Sequence, residues 1–549
     1  MHDLHTPFRQ PYFGRLPFFL PRLRAWGAAV LAATPLIFLA GCADMGGIAP
    51  QSHLKTTAEV LQEPLAREAV PDTGAWWESW GDAQLNRLMA QALAGNPTLR
   101  VARSRIELAA AAADEAESLT SLRADAKADF RRERFSETHV FPPPLGGTVY
   151  WNNEAALSLA YDLDLWGRQD SLAAAALDEH HAALAEAWQV RQALAAAVAE
   201  AYAQWARQLT LLDLAREERQ RLAKGLALIQ RRQQAGLAAG REGDALADAL
   251  ARQQAKEEAL AATVALARHQ LAALAGLAPG AADGLETPHL AAAENLALPA
   301  HLPADLVGRR PDLIAQRWRV EAAGERIHAA KAAFYPNIDL MAFVGFQALG
   351  FTRFLDGASG VHGFGPALSL PLFDGGRRRS RLGQETAAYD GAVEAYNGLL
   401  VKSLQAVADR VTELDANQRE TRAAEQSRSA AQRRLDSTLR AWQAGVLAYS
   451  AVLEAQGAEL SARENLASLA AARRRGYAGL MLALGGDLLE KLEVPGVPGE
   501  KSSGSDGNPG SRGVGKNDPA RTGSVEEGVA IAVPAARAVA TAGSAEARP

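Results

Sequence analysis

The stretch "QAGLAAGREGDALADAL" (234–250) has a near twin in "QAGVLAYSAVLEAQGAE" (443–459), 209 positions further on. Both set Gln-Ala-Gly between alanine-rich runs of helical composition. Glycine just past a helical run is where a helix ends, because glycine takes up the left-handed backbone without a steric cost. Each stretch therefore reads as the tip of a helical hairpin, one around Gly236 (236–244) and one around Gly445 (443–450).

The twinning extends outward from the tips. "NPTLRVARSRIELAAAAADEAESL" (96–119) aligns without a gap on "RPDLIAQRWRVEAAGERIHAAKAA" (310–333), at an offset of 214. Pro97 meets Pro311, Leu99 meets Leu313, Arg103 meets Arg317, Arg105 meets Arg319 and Glu107 meets Glu321. "WGR" (166–168) then meets "GGR" (375–377), and "AVAE" (197–200) meets "AVAD" (406–409), now at the 209 offset of the tips. Constant offsets across prolines, arginines and glycines indicate an internal duplication. Each copy reads as helix, variable middle, very long helix, tip, return helix, and the middle is five residues longer in the first copy.

No proline falls between Gly167 and Gly236, so some 65 residues form a rod of ~100 Å at 1.5 Å per residue. Its apolar seam runs through Leu184, Trp188, Ala195, Val198, Tyr202, Trp205, Leu209 and Leu212; the second copy repeats it at Val393, Leu400, Leu404, Val407, Val411 and Leu414. Steps of three and four are coiled-coil spacing. The return helices, about 240–276 and 447–484, are expected antiparallel to the rods. The helices at 97–120 and 311–333 are expected to stack end to end with them, which sets the variable middles at one pole and the tips at the other.

In the middles the hydrophobic period falls to two, the signature of strands. Trp151, Ala155, Leu157, Leu159, Tyr161 and Leu163 share one face, and Asn152, Glu154, Ser158, Asp162 and Asp164 the other. The partner segment alternates Ala126, Ala128 and Phe130 with Lys127, Asp129 and Arg131. The second copy offers Ile338, Leu340, Ala342, Val344 and Phe346, with Phe364, Leu368, Leu370 and Leu372 returning. Each hairpin (124–165 and 337–373) has strands of about 10 residues, long enough to cross a bilayer at a tilt. Alternation alone fits a soluble hairpin with one wet face equally well. If the strands do span a membrane, four cannot close a barrel, and open edges in lipid cost several kcal/mol per unpaired group. Several chains must then pool them.

Composition bounds the rest. Of 549 residues 48% are apolar but only 6% aromatic, because alanine dominates, and this favours long, closely packed helices over a bulky core. A net charge of −5 implies no general attraction to nucleic acid. The single cysteine, Cys42, excludes an internal disulfide and cysteine-based metal sites. Arg9, Arg15, Arg22 and Arg24 precede the short apolar run "WGAAVLAATPLIFLAGC" (26–42), which reads as a secretory signal. Its end, Leu39-Ala40-Gly41-Cys42, resembles a bacterial lipobox and implies cleavage before Cys42 and acyl chains on that residue. Ala43, where an aspartate would favour inner-membrane retention, points to the outer membrane.

The expected organisation is a signal peptide (1–41), a lipid-anchored N-terminal segment (42–95), repeat 1 (96–277), a Pro/Gly-broken linker (278–309), repeat 2 (310–490) and a disordered tail (491–549). The tail's Gly, Ser, Pro and Ala with mixed charges cannot build a core.

"LAGC" (39–42), "WWESWGDAQLNRL" (76–88), "YDLDLWGR" (161–168), "LPADLVGRRPDL" (302–313), "AAFYPNIDL" (332–340) and "GPALSLPLFDGGR" (365–377) together resemble the TolC-like outer-membrane factors, in particular the NodT/OprM-type efflux lipoproteins. The resemblance covers roughly residues 39–490. It implies an α+β membrane protein: a homotrimer with a 12-stranded β-barrel, four transmembrane strands from each chain, continued by a long α-helical coiled-coil barrel. It implies a passive exit duct that receives small toxic compounds from an inner-membrane RND-type pump through a periplasmic adaptor (membrane fusion) protein. No enzyme activity is implied, and no cofactor beyond covalent lipid on Cys42. The family's gate motif, Tyr-Leu-x-x-Leu-Asp-Ala-Gln, is matched by "YSAVLEAQ" (449–456). Carry-over makes Glu454 one of three carboxylates around the pore axis, which would select cations. Tyr449 and Ser450 stand at the apolar part of the gate, where the family's leucine is replaced by Ser450, and Gly457 replaces an arginine. The tips at Gly236 and Gly445 are the expected adaptor contacts. Alternatives are a duct for type I protein secretion and, with less support, a periplasmic adaptor lipoprotein, which needs one helical hairpin and compact β-domains. Trp76, Trp77 and Trp80 suit either core packing or an anchoring role.

Overall fold

The computed structural model describes residues 45–61, 75–138, 144–237, 239–292 and 305–485. Cys42, the signal sequence and the tail lie outside them. The described residues form two compact units.

One unit, built on Glu117–Leu172 and Arg326–Ala387, holds a single antiparallel sheet. Its strands are β1 (Arg123–Arg134), β2 (Val149–Asp162), β3 (Asn337–Leu349) and β4 (Gly360–Ser369), in the order β1-β2-β3-β4. The two hairpins expected from the repeats are joined edge to edge through β2 and β3, with Leu157 opposite Val344 and Tyr161 opposite Leu340. Ala126 faces Leu157 across β1–β2, and Ala342 faces Phe364 across β3–β4. These registers bring Ala126, Leu157, Leu159, Ala342, Val344, Phe364 and Leu368 to one side, while Met341, Phe343 and Val361 lie on the other; a one-residue slip of a strand would move its set to the opposite side. Asp125, Lys127, Asp129 and Arg131 line the opposite side of β1, paired with Ser158, Ala156, Glu154 and Asn152 of β2. The apolar side stays bare: Val344 is 58% exposed, Leu368 67% and Phe364 92%. At one end of this side Phe130, Trp151 and Phe346 meet Phe351 and Phe354 of the β3–β4 connection, with ring centroids 5.4–6.5 Å apart. Gly345 permits the close β2–β3 approach, since a Cβ there would lie 2.3 Å from the Ala155 carbonyl.

The second unit is helical, and its lengths repeat. Helix α1 (Ala83–Gly95) is capped by Asp82, which accepts from the amides of Gln84 and Leu85. Then come α2 (Pro97–Ser118, 22 residues), α3 (Arg168–Gln234, 67 residues) and α4 (Gly240–Leu274, 35 residues). The second series is α5 (Pro311–Ala332, 22 residues), α6 (Arg377–Gln443, 67 residues) and α7 (Tyr449–Leu484, 36 residues). Both long helices start from an aspartate. Asp164 accepts from the amides of Arg168, Gln169 and Asp170 at 2.7–2.9 Å, and Asp374 accepts from that of Arg378 at 3.1 Å.

Within this unit the main core joins the N-terminal turn Trp76–Trp80 to α1, α3, α4 and α7. Trp80, Tyr202, Trp205, Leu271 and Leu480 are all buried to within 1% exposure. Core packing is therefore the structural role of Trp76 and Trp80, and Trp77 packs against the same cluster. Tyr202 and Trp205 lie in the seam expected of α3, whereas Val411 of the α6 seam is 38% exposed. Helix α7 nests between α6 and α3. Asn417 Nδ2 donates to the Leu469 carbonyl at 3.1 Å on one side, and Arg463 pairs with Glu217 at 2.9 Å on the other. Upstream, the backbone amides of Gln51 and Ser52 donate to Asp390, and that of Lys55 to Asn397, which lays the N-terminal segment along α6. No helix among the described residues is long and apolar enough to cross a membrane.

Candidate functional site

The two tips are built alike. After α3, Gly236 has φ 72° and its amide donates to Gln233, while Leu237 donates to Arg232 at 2.7 Å. After α6, Gly445 has φ 75° and donates to Trp442, while Val446 donates to Ala441 at 2.9 Å. This is the Schellman closure, in which a left-handed glycine turns two orphan carbonyls back into partners. It leaves Leu237 69% and Val446 75% exposed, an apolar knob on each tip. The tips are fastened differently. Gln233 Nε2 reaches the Ala239 and Gly240 carbonyls at 2.9 and 3.2 Å, and the equivalent Trp442 packs its ring on Tyr449, 5.3 Å between centroids.

Just beyond the second tip, α7 carries the gate candidates. Tyr449 is half-buried by Trp442, and Ser450 is exposed. Val452 and Leu453 turn into the hairpin interior. Glu454 turns outward, its side chain 75% exposed and 3.9 Å from Arg434 of α6. An exposed pair at that distance contributes little to stability, so the fold does not require Glu454.

One neighbour of these candidates left no trace in the sequence motif. Arg221 of α3, its side chain only 13% exposed, donates from Nη1 to the Leu453 carbonyl at 2.7 Å and is held by Glu218. Gly457 lies beside it: a Cβ there would stand 3.6 Å from the guanidinium, an ordinary contact distance. A first-repeat arginine thus stands beside the position where the resembled motif carries its own. Gly225, one turn further down α3, gives Leu453 its seat, with a Cβ position 3.0 Å from the leucine methyl. Glu217, Arg221, Lys224, Tyr449, Gln456 and Glu459 line a polar cleft between the two hairpins. Among the described residues no group of His, Cys, Asp and Glu is placed to hold a metal ion.

The outer membrane efflux protein family matches residues 88–277 and 302–486, most of each repeat. The chain belongs to the outer membrane efflux protein family. Its members are channels of efflux systems, not enzymes. Among its relatives, the fusaric acid resistance protein FusA of Burkholderia cepacia is 41% identical over 369 residues, 65% of this chain and 69% of that protein. The multidrug resistance outer membrane protein MdtP of Escherichia coli (strain K12) is 31% identical over 398 residues, 70% of this chain and 80% of that protein. Among solved structures, the outer membrane protein VceC of Vibrio cholerae superposes with a TM-score of 0.69 at 32% identity, covering 75% of this chain and 98% of its own. CusC, at 20% identity and a TM-score of 0.71, shares the fold. As a member of this efflux family the chain is an outer-membrane channel protein, with helical hairpins and a small antiparallel sheet as its neighbours have.

Proposed function

We propose that the chain is the exit duct of a tripartite efflux system. Three copies close a 12-stranded barrel in the outer membrane and a helical tunnel in the periplasm. The observation that carries this reading is the sheet: among the described residues, four strands of 10–14 residues with a bare apolar side, and β1 and β4 each without an outer neighbour. In water such a surface is an aggregation hazard; in lipid it is the outer wall of a barrel, provided the edges find partners on other copies. The charged side of β1 and β2 then faces the lumen.

In this reading Cys42 carries the lipid that holds the N-terminus at the membrane. The tips at Gly236 and Gly445 meet the periplasmic adaptor through the exposed Leu237 and Val446. The adaptor links the duct to an inner-membrane RND-type pump, which supplies the driving force. Glu454 from three copies forms an acidic ring that favours cations, with Tyr449 and Ser450 narrowing the bore and Arg221 holding α7 in the closed position. Cargo is small and toxic, and the name of the 41% identical relative makes fusaric acid the first compound to try.

The test is deletion of the gene, followed by growth on a panel of toxic compounds that includes fusaric acid. Increased susceptibility, restored by the wild-type gene and not by a Cys42→Ala variant that fails to reach the outer membrane, is expected. A deletion strain as resistant as its parent to every compound would overturn the efflux assignment.

A further inference from the structure

The apolar side of the sheet ends differently at its two rims. On β1 that side carries Ala124, Ala126, Ala128 and Phe130, and then Arg132 and Arg134. The register fixes their side. Arg132 stands opposite Trp151 and Arg134 opposite Val149, and both partners alternate in step with Leu157 and Leu159 along β2. The β3–β4 connection meets the same rim, with the Phe351 ring 5.4 Å from that of Trp151 and the Phe354 ring 5.6 Å from that of Phe130. Arg353, between those two phenylalanines in the chain, is exposed, as Arg132 and Arg134 are. Among the described residues Arg132 and Arg353 form no ion pair, and Arg134 pairs with the exposed Glu137 at 2.8 Å.

The opposite rim is where α2 and α5 lead into the strands and β2 and β4 lead on to α3 and α6. There the same side ends on Ala124, Tyr161, Ile338 and Leu368, without a charge. The arginines therefore crown one rim alone, the one remote in the chain from the helices.

The spacing between the rims suits a bilayer. From Tyr161 to Trp151 is ten steps along β2. At ~3.4 Å per step and a tilt of ~45° they rise ~24 Å, close to the ~25 Å apolar band of an outer-membrane barrel. Arg132, level with Trp151, and Arg134 beyond it then stand where hydrocarbon gives way to headgroups. An arginine stem can lie along apolar surface while its guanidinium reaches that layer, and the planar fork matches two oxygens of a phosphate.

Resting on the barrel reading above, which turns this rim outward, we propose that Arg132, Arg134 and Arg353 bind the phosphates of the multi-acyl glycolipid of the outer leaflet, lipid A, whose chains lie on Phe130, Trp151 and Phe351. Charge at the outward rim alone matches a membrane whose outer leaflet carries two phosphates on one headgroup.

The test is native mass spectrometry of the full-length, lipid-bearing protein in mild detergent, supplied with bis-phosphorylated lipid A, its dephosphorylated form or phosphatidylglycerol. The unaltered protein should retain lipid A and release the dephosphorylated form. Arg132→Gln with Arg353→Gln should retain about ten-fold less, the worth of roughly one charge-assisted contact. Arg131→Gln, on the opposite side of β1, should retain as much as the unaltered protein. Equal retention by the double variant, or an equal loss in Arg131→Gln, would overturn the site. Phosphatidylglycerol held as firmly as lipid A, and lost in the same double variant, would overturn the glycolipid as its ligand. Chain number and planar-bilayer conductance are measured on the same preparations. Three-chain, conducting particles that show no preference for lipid A would overturn this site and leave the barrel standing; silent single chains would overturn both.

Discussion

Asn96 donates its side-chain amide to the carbonyl of Leu274 at 2.8 Å. In the second repeat Arg310 stands in its place, and its guanidinium donates to the carbonyl of Ala483 at 2.9 Å. The residue types differ, and the task is the same. Each satisfies an orphan carbonyl in the last turn of a return helix and so joins that helix end to end with the helix beginning one residue later. The duplication is thus preserved in geometry at a junction where the sequence has diverged.

Asn96→Ala and Arg310→Ala should each lower stability by about 1–2 kcal/mol, the worth of a partly buried side-chain hydrogen bond. Denaturant unfolding of the purified protein, followed by circular dichroism, measures this. The sites share no partner, so the double variant should show the sum.

Gly485 follows α7 with φ 87°, and a Cβ on it would lie 2.7 Å from Arg310 Cα. Gly236 has φ 72° with nothing near. Gly236→Ala should therefore cost about 1 kcal/mol, from the left-handed backbone alone. Gly485→Ala should cost clearly more, because backbone must also move. Equal unfolding midpoints for the two variants would rule out the close junction.

Burial, reinforced by Glu321, Glu325 and Glu179, pushes the carboxyl of Asp178 up to about 6. An acid whose folded pKa is raised binds its proton more tightly in the native state, so its effect on stability is most favourable below about pH 4 and is lost as pH rises through about 6. Asp178→Asn should raise the unfolding midpoint at pH 8, flatten the change between pH 4 and pH 6, and leave the midpoint near pH 4 unaltered. A variant whose midpoint shifts equally at both pH values would remove the titration of Asp178 as the cause.

Glu454→Ala should reduce the preference for cations in single-channel recordings, with the bore otherwise open to the same ions. Unchanged selectivity would take Glu454 off the pore lining. Arg221→Ala should act on the closed state, because the lost charge-assisted bond to the Leu453 carbonyl, about 1.5–3 kcal/mol, no longer restrains α7. A rise of ten-fold or more in open probability, without a change in selectivity, is expected.

Much of this architecture was legible in the sequence because it is periodic. Proline, glycine and arginine at fixed offsets revealed the two repeats, and the switch from helical to alternating spacing located both strand hairpins. The unread parts are contacts between elements remote in sequence. That β2 pairs with β3 across 180 or so positions follows from no local pattern. Arg221 lies 232 positions from the carbonyl it clamps, on a helix face that otherwise reads as solvated charge. Val411 kept coiled-coil spacing and is still partly bare, as Val101 and Leu108 are on α2, because helical spacing tells which residues share a face and says nothing of what covers it. Glu454 was reached through resemblance alone, since an exposed glutamate on a helix carries no signal of its own.

The most direct measurement is the mass and the conductance of the lipid-bearing protein purified in mild detergent. Particles of three chains that open stable ion-conducting pores in a planar bilayer are the predicted result. Monomers that leave the bilayer silent would contradict the shared barrel and, with it, the duct.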